Sequence, residues 1–250
     1  MNDPVPSSTL GPEGDEAVLA EPVGAAELAA QLSARLCHDF ISPASAIVSG
    51  LDLLEDPTAA DMRDDAMNLI GASAKKLVAL LAFARVAFGA SASAETFDTR
   101  DLERLTRGVY DHVRPDLDWT VGVESLNKPA ARALLNLAQI AASALPTGGV
   151  ARISAVVEGD FCFLSAEARG PRVRLRPEVA AGLKGRRQSE GLGGNWVQAF
   201  YLHALLEAAG GAVDFAIDEE KVVLRARTPM DAAETRSAAD TIGQPSATGG

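Results

Sequence analysis

Apolar residues recur at alternating spacings of three and four through two consecutive segments near the N-terminus. Between about residues 25 and 54, Cys37, Phe40, Ala44, Ile47, Leu51 and Leu54 form a heptad seam, the spacing that gathers side chains on one face of a helix. Asp56-Pro57-Thr58 interrupts it, because proline disfavours helical geometry in the residue before it. A second run to about residue 89 repeats the spacing with Ala66, Ile70, Ser73, Leu77, Leu80, Ala84 and Ala87. Two antiparallel helices are predicted. A lone helical hairpin leaves an apolar face uncovered. A second copy across a two-fold axis would cover it as a four-helix bundle, so a homodimer is expected. The competing cover is the chain's own C-terminal half.

After the small-residue linker Gly89-Ala90-Ser91-Ala92-Ser93 the texture becomes mixed. Helices are predicted near 99–112, 129–145, 177–183 and 193–209. Strands are predicted near 117–123, 150–157, 161–168, 212–217 and 221–227, with Gly159-Asp160 turning one hairpin. This mixture reads as an α/β sandwich with helices on one face of a mostly antiparallel sheet. The fold class is thus α+β, with a helical hairpin over residues 25–90 and an α/β domain over 95–228. Residues 1–24, rich in Pro, Gly, Ser and acids, and residues 229–250, rich in Ala, Ser, Thr and Gly, read as disordered tails.

Composition narrows the function classes. At 250 residues and 47% hydrophobic, the chain can bury a sizeable core. The apolar stretch Leu77 to Ala84 falls far short of the ~20 residues a membrane span needs. No basic region precedes an apolar one at the N-terminus, so the protein is expected in the cytoplasm. Cys37 and Cys162 form no CxxC pair, fit a reducing compartment, and read as buried thiols. Net charge is −11, but the two tails hold much of it, leaving 26 acids against 22 bases between them. Mild acidity without a basic stripe excludes the nucleic-acid binders, which cluster Lys and Arg against phosphates.

The sharpest chemical signal is Arg35-Leu36-Cys37-His38-Asp39-Phe40-Ile41-Ser42-Pro43. On a helix, His38 has Ala34, Arg35, Ile41 and Ser42 one turn away and Ser45 two turns on. These are mostly small or polar, so its imidazole should stand clear while Phe40 and Ile47 turn to the seam. Pro43 lacks an N–H and crowds the carbonyl of Asp39, which predicts a bend just after the histidine. A lone histidine is more often structural than reactive, and Ser42-Pro43 also reads as a helix start. His112 and His203 lack such surroundings and read as structural.

His38, Asp39, Ser42 and Pro43 on the first helix of a hairpin resemble the H-box of histidine kinases, in which a histidine is followed by an acid and then a Ser/Thr-Pro-like pair. The second half is similar, in order, to the kinase ATP-binding domain, and it departs where nucleotide chemistry resides. Residues 134–141 resemble the N-box helix, but Ile140 stands where that family places a magnesium-binding asparagine, and magnesium requires oxygen ligands. Ala168-Arg169-Gly170-Pro171 resembles the adenine-recognising box, with Ala168 in the place of its aspartate. Gly191-Leu192-Gly193-Gly194 looks like the last glycine box, only some 20 residues beyond Gly170, a gap too short for the kinase lid.

A complete H-box hairpin joined to an emptied ATP-binding fold resembles the dimeric histidine phosphotransferases of the alphaproteobacterial ChpT type, over roughly residues 25–228. The resemblance implies a phosphorelay. Phosphate would arrive on His38 from the receiver aspartate of a hybrid histidine kinase, CckA-like, and leave for response regulators, CtrA-like and CpdR-like. No cofactor is implied, since magnesium belongs to the partner's receiver domain.

An exposed imidazole of ordinary basicity is mostly neutral at pH 7, so the nucleophile needs no strong activation. In this reading Asp39 hydrogen-bonds one ring N–H and fixes the tautomer. Arg35, Ser42 and Pro43 are the candidates to touch phosphate or the partner. The competing readings are a solvated surface acid for Asp39 and an intrahelical charge for Arg35. Two rivals remain for the whole chain: an ATP-dependent histidine kinase, disfavoured by Ile140 and Ala168, and a non-catalytic adaptor or inhibitor of two-component proteins.

Overall fold

The computed structural model describes residues 23–89, 95–187 and 194–230. Most of the linker, all but Gly194 of the glycine box Gly191–Gly194, and nearly all of both tails lie outside those residues. Helix α1 (Ala25–Glu55) runs unbroken through Pro43. The proline's missing N–H costs one backbone bond, and the flanking turns carry the helix on to Glu55. The Asp56 side chain accepts from the Thr58 N–H at 2.8 Å and starts a 3-10 turn, Pro57–Met62. Helix α2 (Arg63–Ala87) then returns along α1.

The inner face of the hairpin differs in phase from the predicted seam. On α2 the seam holds, with Ala66, Ser73 and Ala87 buried and Ile70, Leu77, Leu80 and Ala84 half-buried. On α1, Phe40, Ala44, Ile47 and Leu54 of the seam are half-buried together with Leu36, and Pro43 and Gly50 are buried, whereas Cys37 and Leu51 are exposed beside Ile41 and Val48. Two apolar stripes lie side by side on α1, and the seam drawn from the sequence straddled both. The helices come close at Gly50, where an added Cβ would lie 2.6 Å from Ile70 Cγ1.

The α/β unit begins with β1 (Thr96–Asp98), whose last residue caps α3 (Thr99–Tyr110) by accepting from the Arg100 N–H at 2.8 Å. Strand β2 (Asp116–Trp119) and β3 (Ser125–Asn127) follow, and the Asn127 side chain caps α4 (Lys128–Ser143) through the Ala130 N–H at 3.1 Å. Then come β4 (Val150–Glu158), β5 (Phe161–Arg169), α5 (Pro177–Leu183), α6 (Gly194–Ala208), β6 (Ala212–Ile217) and β7 (Lys221–Pro229). The main sheet has the order β2-β4-β5-β7-β6, with β2 parallel to β4 and the other pairs antiparallel. β1 and β3 form a separate two-stranded sheet that the sequence pattern did not predict.

Inward residues alternate with period two, as in Ala151, Ile153 and Ala155 on β4 and Cys162, Leu164, Ala166 and Ala168 on β5. They pack against α4, which is buried on nearly every side, including Leu134, Leu135, Leu137 and Ile140. Each such side chain contributes roughly 1.5–3 kcal/mol by leaving water. Phe83, Val86 and Ala87 join this same core, so the end of α2 is anchored in the α/β unit. The chain's own C-terminal half therefore covers one part of the hairpin.

Candidate active site

His38 lies midway along α1 with its side chain 86% exposed, as its small and polar neighbours foretold. Its Nδ1 is 3.5 Å from Asp39 Oδ1, at the long limit of a hydrogen bond. The other oxygen, Asp39 Oδ2, lies 3.5 Å from Arg35 Nε one turn earlier. Asp39 is 30% exposed and Arg35 only 12%. Burial pulls the Arg35 guanidinium below its ordinary pKa, while the Asp39 carboxylate pushes it back up. Arg35, Asp39 and His38 thus form one chain of contacts.

Ser42 is exposed one turn beyond His38, but Pro43 is buried on the inner face of α1. Pro43 is thus buried where a residue that touches phosphate or a partner would stand exposed. Cys37 is exposed, against expectation, and Cys162 is buried. Cys37 falls with Ile41, Val48 and Leu51 on the stripe of α1 that is left exposed. His203 is structural, its Nδ1 3.1 Å from the Leu183 carbonyl, whereas His112 is exposed in the turn after α3.

The kinase-like positions are occupied by packing. Ile140 and Ala168 are both buried in the hydrophobic core. Asn136, also buried, donates to the carbonyls of Ala87 at 3.2 Å and Arg132 at 2.9 Å and accepts from Gln198 Nε2 at 3.2 Å. Gln198 donates as well to Gln139 Oε1 at 2.6 Å. The polar side chains of α4 thereby tie it to α2 and α6. Hydrocarbon at 140 and 168 does not fit magnesium or adenine recognition. Among the described residues no group of His, Cys, Asp and Glu could hold a metal ion, and no helix is long and apolar enough to cross a membrane.

Sequence reasoning missed the tie at the start of α1. Arg187, beyond α5, donates to Glu27 Oε1 at 2.8 Å, and Gln31 donates to the same oxygen at 3.2 Å. With 160 residues between Glu27 and Arg187, no local pattern could pair them. Chemically, the site offers a ring nitrogen open to solvent and a carboxylate at the opposite nitrogen.

Comparison with known proteins gives this geometry a family. Residues 99–221 match the model of the histidine phosphotransferase C-terminal domain. The protein phosphotransferase ChpT of Brucella abortus is 34% identical over 208 residues, covering 82% of this chain and 97% of that protein. A solved bacterial phosphotransferase superposes with a TM-score of 0.75 at 31% identity, over 82% of this chain and 98% of that one. The histidine kinase AdeS of Acinetobacter baumannii aligns only distantly, with a TM-score of 0.41 at 15% identity over 78% of this chain and 98% of that one. On the Brucella relative, aligned from end to end with most of this sequence, the chain belongs to the ChpT family of histidine phosphotransferases.

Proposed function

We propose that His38 is the phosphoryl carrier of this phosphotransferase, accepting phosphate from a receiver-domain aspartate of a hybrid histidine kinase and passing it to response-regulator aspartates. The observation that carries the reading is the 86%-exposed imidazole with a carboxylate on Nδ1. Asp39 accepts the Nδ1–H, which leaves the Nε2 lone pair pointing outward. That pair attacks phosphorus in line. The N–P bond forms as the bond to the receiver's aspartyl oxygen breaks, and the receiver keeps a free carboxylate. Such transfers pass through a loose transition state, so positioning matters more than acid–base strength. The phosphorylated ring is cationic while Nδ1 keeps its proton, and Asp39 balances that charge. A protonated ring is also the better leaving group when the next carboxylate attacks.

The donor in this reading is CckA-like and the acceptors CtrA-like and CpdR-like, all met in the cytoplasm. ATP has no part, which the buried hydrocarbon of Ile140 and Ala168 supports. A homodimer is part of the proposal. Ile41, Val48 and Leu51 on α1 and Met67, Val78 and Leu81 on α2 are large apolar residues left exposed at spacings built of threes and fours, a stripe suited to a four-helix bundle. Val78→Asp should then convert a dimer to a monomer in light scattering. A wild-type chain that scatters as a monomer at micromolar concentration would end this part of the proposal.

The decisive assay mixes the protein with a phosphorylated receiver and follows acid-labile label. His38→Ala should take none while keeping the wild-type circular dichroism spectrum. Label that persists in this variant would place the carrier elsewhere, and label taken directly from ATP and magnesium would make the protein a kinase.

A further inference from the structure

We infer that Arg35 is a positioning residue: it holds Asp39 so that this carboxylate orients His38. The inference rests on the assignment of Asp39 as the orienting acid. His38 needs such help, because an imidazole 86% exposed has little packing to select a rotamer. Among the described residues, Asp39 supplies its polar contact. Yet residues adjacent in sequence do not face one another on a helix; they point about 100° apart. A free aspartate at 39 would turn to water as readily as to the ring.

What constrains it is four residues back, on the same face. Arg35 Nε takes Asp39 Oδ2, and the remaining oxygen, Oδ1, is the one that reaches His38 Nδ1. The two contacts thus divide a single carboxylate between its two oxygens. Arg35 is suited to be the fixed end, since its side chain is 12% exposed and a guanidinium presents a planar, preorganised fork. A charge so far removed from water requires a carboxylate partner, so the tie is favourable for both residues. The same burial leaves little of Arg35 to meet an incoming phosphate. Its effect on the reaction therefore passes through Asp39.

The test reads the tautomer directly. In the full-length protein with 15N-labelled histidine and the ring in its neutral form, the wild type should hold His38 mainly as the Nδ1–H tautomer. Arg35→Met should shift it toward the Nε2–H form that free imidazole prefers. Transfer from a phosphorylated receiver should slow between roughly ten- and a hundredfold, the scale of a misoriented reacting group. Arg35→Lys should recover part of both. Arg35→Met added to Asp39→Asn should cost nothing further, because the two act as one unit.

If Arg35→Met does not fold, Arg35→Gln, which keeps much of the stem and a neutral donor, carries the same comparison. Arg35 loses its role if a folded variant keeps the wild-type tautomer and rate while Asp39→Asn loses both. If Asp39→Asn alters neither, the orienting role of Asp39 fails first and this inference with it.

Discussion

Replacing Gly50 with alanine sets two physical effects of similar size against each other, and the structure decides between them. Alanine is the better helix former by roughly 0.8–1 kcal/mol, so a buried glycine in a 31-residue helix would ordinarily be improved. The new Cβ would stand 2.6 Å from Ile70 Cγ1, 3.2 Å from Ile70 Cδ1 and 3.2 Å from the Ala66 carbonyl oxygen. Carbon atoms prefer about 3.5–4.0 Å. Ile70 can give way by leaving its rotamer, at roughly 0.5–1.5 kcal/mol. The Ala66 carbonyl is backbone, so there the packing of α1 on α2 must give by a few tenths of an ångström.

With overpacking at roughly 1–3 kcal/mol, Gly50→Ala should come out destabilising by about 1 kcal/mol. Urea unfolding at one fixed protein concentration should show this as a midpoint lowered by roughly 0.5 M at an unchanged slope. Adding Ile70→Ala should recover stability relative to the sum of the single changes, with a coupling of at least about 1 kcal/mol. A raised midpoint for Gly50→Ala alone would mean that propensity wins and that the helices are not in close contact there. Gly50 lies twelve residues from His38, or roughly 18 Å along the helix, so phosphotransfer should follow the stability of the hairpin and not change independently.

Asn136→Leu should lower stability by about 2 kcal/mol in the same urea assay, because it removes the bond to the Ala87 carbonyl and leaves the Gln198 amide short of an acceptor inside the core; unchanged stability would show these bonds to be dispensable. Burial pushes the Cys162 thiol up from 9.0 to about 11, so its protonated form is favoured by folding. That contribution is intact well below pH 9, declines as pH rises, and by pH 11 has cost about 2 kcal/mol. Cys162→Ala should flatten the loss of stability between pH 9 and 11, and an identical slope in the variant would refute the assignment. Cys162 should likewise resist alkylation at neutral pH until the protein unfolds.

Periodicity located the elements because each pattern is local. The three-and-four spacing placed both hairpin helices, and the strands predicted near 161–168 and 221–227 coincide with β5 and β7, which pair inside the sheet. β1 and β3 escaped notice because three residues cannot express a period. They pair across the gap between Phe97 and Leu126 and gain their places from the caps at Asp98 and Asn127. Among the site residues, the exposure of His38 was legible in its small and polar surroundings. The burial of Pro43 was not, since it depends on which of two adjacent apolar stripes on α1 meets α2.

By itself the sequence determined the helical hairpin, the α/β unit and an imidazole set among small and polar neighbours. Each of these follows from residue identity and spacing within a few turns. Only the tertiary structure decided the phase of the hairpin, the anchoring of α2 in the second unit, the pairing of Glu27 with Arg187, and the burial that restrains Arg35. Those depend on which surfaces exclude water together, and exclusion is a property of contacts between segments far apart in the chain.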